Sequence, residues 1–177
     1  NKRIWKIALF SVLSPFSINY SLGTFRVYGA LIGINGTIMQ YFGVLSGISI
    51  LIFSPIWGII NDKFKYEKVI KVICIGCIIH ACLLFLFIKY NYIYMLLIFI
   101  GPIFNTGFWN ITPLHTIKVY GIKYSIALGG IIGICGGIYN IFSIFLSLFI
   151  SKYYSTGKEL QKVYGIINFL GIGISLA

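Results

Sequence analysis

In 177 residues the chain is 59% hydrophobic and only 10% charged, with a formal net charge of +11 and a mean hydropathy of +0.96. A soluble domain uses about 25% charged residues, so this sequence lacks the polar side chains to cover a water-facing surface. Long apolar runs such as Val44 to Ile60 do not alternate polar with apolar, which tells against a transmembrane barrel and points to an all-α polytopic membrane protein.

The first residue is Asn1 and the last, Ala177, falls inside an apolar run, so the sequence reads as a piece of a longer protein. Its cations sit at the ends of apolar segments. That placement fits anchoring at anionic lipid headgroups and argues against nucleic acid as a partner. Cys74, Cys77, Cys82 and Cys135 all lie inside apolar segments. Cys74-x-x-Cys77 has no second Cys/His pair beside it, so packing residues are expected rather than a metal or a cofactor.

A membrane-crossing helix needs about 20 apolar residues. Six such spans are expected: 4–24, 35–60, 69–88, 92–112, 124–150 and 163–177, the last cut off by the end of the sequence. The first enters past Lys2, Arg3 and Lys6, carries Pro15, and turns polar at Asn19, Tyr20 and Ser21. A connection with Arg26 and Gly29 leads to the second, where Gly43-x-x-x-Gly47 has the spacing of a close helix contact. The third span contains His80. The fourth turns polar in its second half, with Asn105, Thr106, Trp109, Asn110 and Thr112 between Pro102 and Pro113. The connection 115–123 follows. The fifth carries Gly129, Gly133 and Gly137 as a bare stripe suited to helix packing.

Between the second and third spans, two of the chain's three acidic residues, Asp62 and Glu67, fall among Lys63, Lys65 and Lys68. Placing this turn in the cytosol gives nine basic residues on that side and five on the other, the asymmetry expected of cytoplasmic loops. Val27-Tyr28-Gly29 returns as Val119-Tyr120-Gly121, and Lys68-Val69 as Lys162-Val163. Spans one to three therefore read as repeated, inverted, in four to six, a 3+3 plan used by transporters.

The turn resembles the signature of the major facilitator superfamily: glycine, three residues, aspartate, a basic residue, any residue, glycine, any residue, two basic residues. Gly58, Asp62, Lys63 and Lys68 match, Lys65 stands at the second glycine, Glu67 replaces one basic residue, and Pro55 precedes as is usual there. Thr112-Pro113 with Val119 to Lys123, and Phe25 to Gly29, are similar to junctions in the second half of monocarboxylate-type and oxalate/formate-type facilitators. The resemblance implies residues 1–177 are the second six-helix half of a transporter whose first half is missing. It implies a small solute as cargo, an organic anion among the candidates, moved by alternating access. It further implies that Asp62 latches helices on the cytosolic side, and that four of the six spans line or flank the pathway.

Asn19, Tyr20, Arg26, Asn105, Asn110, Tyr139 and Asn140 are the candidates for that pathway; interhelical hydrogen bonding is the competing role for each. Asn105 and Asn110 are five apart, about 140° around a helix, so they do not share one cavity. No basic residue lies deep in a span, so either the cation that would pair with an anionic cargo is in the missing half or the cargo is not an anion. His80, alone in its span, is read as a packed histidine before a proton relay. No catalytic constellation is visible, so an enzyme is not expected. A non-transporting membrane scaffold or sensor with the same helix plan is the competing reading. The helical domain of a membrane enzyme is a third.

Overall fold

The computed structural model describes residues 16–87, 90–153 and 166, and among them it is all-helical. Four helical elements follow one another: α1 (Phe16–Leu31), α2 (Gly36–Lys63), α3 (Tyr66–Phe87) and α4 (Asn91–Tyr153). Three stretches are long and apolar enough to cross a membrane: Gly36–Lys63, Tyr66–Phe87 and Asn91–Ile134. The expected span 163–177, apart from Ile166, and most of 4–24 lie outside the described residues.

Local chemistry sets the boundaries. α1 runs past the expected end at residue 24, taking Arg26 and Val27-Tyr28-Gly29 into the helix. It stops at Gly33, whose φ of 82° suits glycine. There Ile34 N–H donates to Gly29 O (2.9 Å) and Gly33 N–H to Ala30 O (3.2 Å), the paired bonds of a Schellman cap. Asn35 opens α2 by accepting from Thr37 N–H at 2.9 Å.

The connection between α2 and α3 is shorter than the expected 61–68. Phe64 N–H donates to Ile60 O (3.0 Å), which carries the helix through Asp62 to Lys63. α3 begins at Tyr66, so only Phe64 and Lys65 link the two helices. Asn61 and Asp62 occupy the last turn of α2, and Glu67 and Lys68 the first turn of α3.

The expected connection 115–123 is mostly helical as well. Pro113 does not end α4; the helix runs through it, with the Thr112 and Thr116 hydroxyls donating to the carbonyls of Phe108 (2.8 Å) and Pro113 (2.7 Å) in the same stretch. The break falls at Gly121, with φ 77° and ψ 164°. It reverses the chain. Leu146, 25 residues later, packs on the same cluster as Tyr94. A straight helix would carry it about 37 Å further away. α4 is therefore two antiparallel limbs joined at Gly121.

Two apolar clusters mark the two ends of the bundle. Tyr20, Tyr28, Ile34, Met39, Leu84, Tyr94, Met95, Leu97 and Ile98 form one, from α1, α2, α3 and the first limb of α4. Ile18, Trp57, Val69, Ile73, Cys77, Phe108 and Ile111 form the other, nearer Asp62. The first limb of α4 is the centre, its residues bonding to each of the other three helices: Tyr94 to Phe25 of α1, Ile103 to Trp57 of α2 and Leu97 to His80 of α3. Large apolar side chains on α2 and on the second limb, such as Leu51 (75% exposed) and Ile126 (72%), face outward. Such an outer surface is unstable in water and suits a hydrocarbon solvent.

Candidate functional site: an ion pair and a polar seam around α4

The turn between α2 and α3 comes close to the end of the first limb of α4. Lys118 Nζ stands 3.8 Å from Asp62 Oδ1, with both side chains largely exposed. One turn earlier on α4, the His115 ring stacks on Tyr66 at 3.6 Å between centroids and 9° between planes. Asp62 and Tyr66 thus flank the two-residue link, and Lys118 and His115, three residues apart on one helix face, meet them. Lys63 and Lys68 of the same turn are exposed, and a side chain built at Gly58 would meet nothing within 4 Å.

Away from this end, polar groups join α4 to its neighbours. The Trp57 indole N–H of α2 donates to Ile103 O at 2.8 Å. Its ring lies on Gly107, where a Cβ would come within 2.7 Å of the indole. Asn110 donates to the Ser54 hydroxyl at 2.6 Å, beside the proline that interrupts α2. From α3, His80 Nε2 is 2.9 Å from Leu97 O. A Cβ at Gly101 would meet the same nitrogen at 2.9 Å, and one at Gly76 would collide with Phe104. Bare backbone at 76, 101 and 107 is what lets a large ring from the facing helix sit close.

The residues singled out in the sequence separate. Asn110 enters the α2–α4 seam, whereas Asn105 accepts from Trp109 N–H on its own helix at 3.1 Å. Tyr20 is buried in the apolar cluster at the Tyr28 end and Asn19 is half-buried. Arg26 is exposed, its guanidinium 5.6 Å from the Phe25 ring. The side chains of Tyr139 and Asn140 lie outside the described residues. At Gly129, Gly133 and Gly137 a Cβ would meet nothing within 4 Å among the described residues, while one at Gly43 would meet Phe25 at 3.3 Å.

Sequence reasoning passed over Ser54, Trp57, Tyr66 and the three isolated glycines. Trp57 carried a usable signal, because a buried indole N–H needs an acceptor on a neighbour. Lys118 counted only as a topological charge, and nothing local singles it out as the partner of Asp62. No known protein family, no curated protein and no solved structure matches this chain.

Proposed function

We propose that this chain is the second six-helix half of a major-facilitator-like transporter, which moves a small solute across a membrane by alternating access. One observation carries the reading: Asp62 in the turn after α2 pairs with Lys118 at the end of the first limb of α4. A single N–O contact between exposed charges is worth about 0.2–1 kcal/mol and weakens with salt. A contact of that strength can be made and broken once per cycle.

The ends of the bundle differ in charge. Lys63, Lys65, Lys68, Lys71, Lys118 and Lys123 gather toward the Asp62 end, and Arg26 and Lys152 toward the Tyr28 end. That excess favours a cytosolic Asp62 end, with the lysines at the headgroups of a multi-pass protein. The latch then closes the cytosolic mouth. An organic anion as cargo would need Arg26 or a cation of the first half for its charge.

In the full-length protein, Asp62→Asn is expected to lower uptake into proteoliposomes several-fold at equal protein level. Asp62→Lys combined with Lys118→Asp is expected to restore part of it. Screening pooled metabolites with the unaltered protein identifies the cargo. Uptake untouched by Asp62→Asn removes the latch.

A second reading has its own observation. Asn110, Trp57 and His80 are engaged in bonds between helices, as in a packed scaffold. That reading wins if no solute enters while a membrane partner co-purifies.

A further inference from the structure

His80 is a buried polar side chain that neither the ion pair nor the α2–α4 seam uses. It stands in the middle of α3 at 2% exposure. Nε2 lies 2.9 Å from Leu97 O. A carbonyl oxygen can only accept, so Nε2 carries the hydrogen and Nδ1 presents a bare lone pair. Nδ1 is buried and meets no donor among the described residues. Burying an acceptor without a partner is unfavourable, and native structures rarely leave one without a reason.

The surroundings are equally specific. Gly101 of α4 faces the ring, and a Cβ there would meet Nε2 at 2.9 Å and Ile18 of α1 at 3.4 Å. The ring therefore lies where three helices meet. The groups shown against it are Ile18 from α1 and Leu97 and Gly101 from α4, none of them titratable; Cys77 stands one turn earlier on its own helix. Pro102 follows Gly101, so α4 lacks one backbone hydrogen bond beside the ring and can bend there.

We propose that Nδ1 of His80 is a proton-binding site, loaded only when α3 and the first limb of α4 part and admit water. A proton passes from hydronium to the Nδ1 lone pair, leaving water and an imidazolium that keeps its Nε2 hydrogen. An imidazolium closed into this apolar junction is unfavourable, so the proton favours the open arrangement. By linkage, opening favours the proton to the same degree. The site stands apart from the transport reading. It needs a bundle that opens, and it would serve a sensor as well as a transporter.

The chain holds two histidines, so His115→Gln leaves His80 as its one imidazole. Nitrogen-15 histidine spectra of that variant in lipid nanodiscs, in the full-length protein with its other histidines suppressed by background subtraction, should show the Nε2–H tautomer at neutral pH. Loss of that signal on acidification should report imidazolium. An Nδ1–H tautomer, or no titration between about pH 4 and pH 9, overturns the site.

Cys77, 3% exposed and one turn from His80, reports the opening. With the other cysteines replaced by serine, its maleimide labelling is compared at about pH 5.5 and pH 7.5. After correction for the thiolate fraction, labelling should rise about tenfold at the lower pH, and His80→Gln should abolish the rise. An equal rise in His80→Gln shows that another group controls the opening and overturns the coupling. The tautomer result stands without the variant, so a misfolded His80→Gln protein leaves the proposal decidable. Uptake plays no part in either readout, so failure here and failure of the transport reading are separate results.

Discussion

At the scale of single residues, the glycines divide by what a methyl group would meet. At Gly107 it would press into the Trp57 ring, and at Gly133 it would meet nothing within 4 Å among the described residues. Gly107→Ala is expected to cost about 1–3 kcal/mol by overpacking, because the indole is held by its bond to Ile103 O and cannot retreat freely. Gly133→Ala should cost less than about 0.5 kcal/mol, since alanine also favours the helix. Thermal unfolding of both variants in the same detergent checks the pair. Equal losses would show that Gly133 packs as tightly as Gly107. The stripe at 129, 133 and 137 was conspicuous in the sequence because repetition is visible in one dimension. Gly76, Gly101 and Gly107 were not, since the rings that require them lie on other helices and the pairing arises only on packing. Asn110 is legible as a polar residue within a span, but its partner Ser54 is not, for the same reason.

At the scale of elements, apolar runs predicted that helices exist, and capping chemistry decided where they end. α1 extends to Leu31 because the cap needs a glycine with positive φ, and Gly33 supplies it. The α2–α3 link shrinks to two residues because charged side chains at a helix end can stay helical while their heads reach water. α4 shows the reverse case. Pro113, the apparent breaker, is tolerated, while Gly121 alone turns the chain. Its φ of 77° and ψ of 164° lie in a region that is in practice reserved for glycine, and a side chain there costs about 1–3 kcal/mol. Gly121→Ala should therefore loosen the reversal. Spin labels at Tyr92 and Phe149, both exposed, measure it. In the native protein they sit at the same end of the bundle and give a narrow, short distance. In Gly121→Ala the distribution should broaden toward long distances, with an upper bound of about 85 Å for a straight helix. An unchanged distribution would mean that side-chain packing of the second limb, rather than the glycine, holds the turn.

At the scale of the whole molecule, the two ends of the bundle are chemically unlike, and this asymmetry sets how it lies in a membrane. Six described lysines gather toward the Asp62 end, with Asp62 and Glu67 as the acidic residues among them. Arg26 and Lys152 mark the other end, where Tyr90 and Tyr92 supply exposed aromatic rings suited to an interface. Lysine and arginine near the ends of spans orient a chain, whereas acidic residues contribute little, so the Asp62 end should face the cytosol. In full-length protein whose cysteines are replaced by serine, a single cysteine at Phe64 should be shielded from a membrane-impermeant maleimide in intact cells and should react once the cells are opened. A single cysteine at Gly36 should react in both. Phe64 lies in the short link after α2, and Gly36 is exposed at the start of α2 with nothing within 4 Å of an added Cβ, so labelling there reports sidedness with little disturbance of packing. The reverse pattern would place the Asp62–Lys118 contact on the outer side of the membrane. Labelling of both positions in intact cells would mean that α2 does not cross the bilayer. Either result would overturn the orientation while leaving the Asp62–Lys118 contact and the His80 junction as they are. Orientation depends on charge at the ends, and those contacts depend on packing between helices.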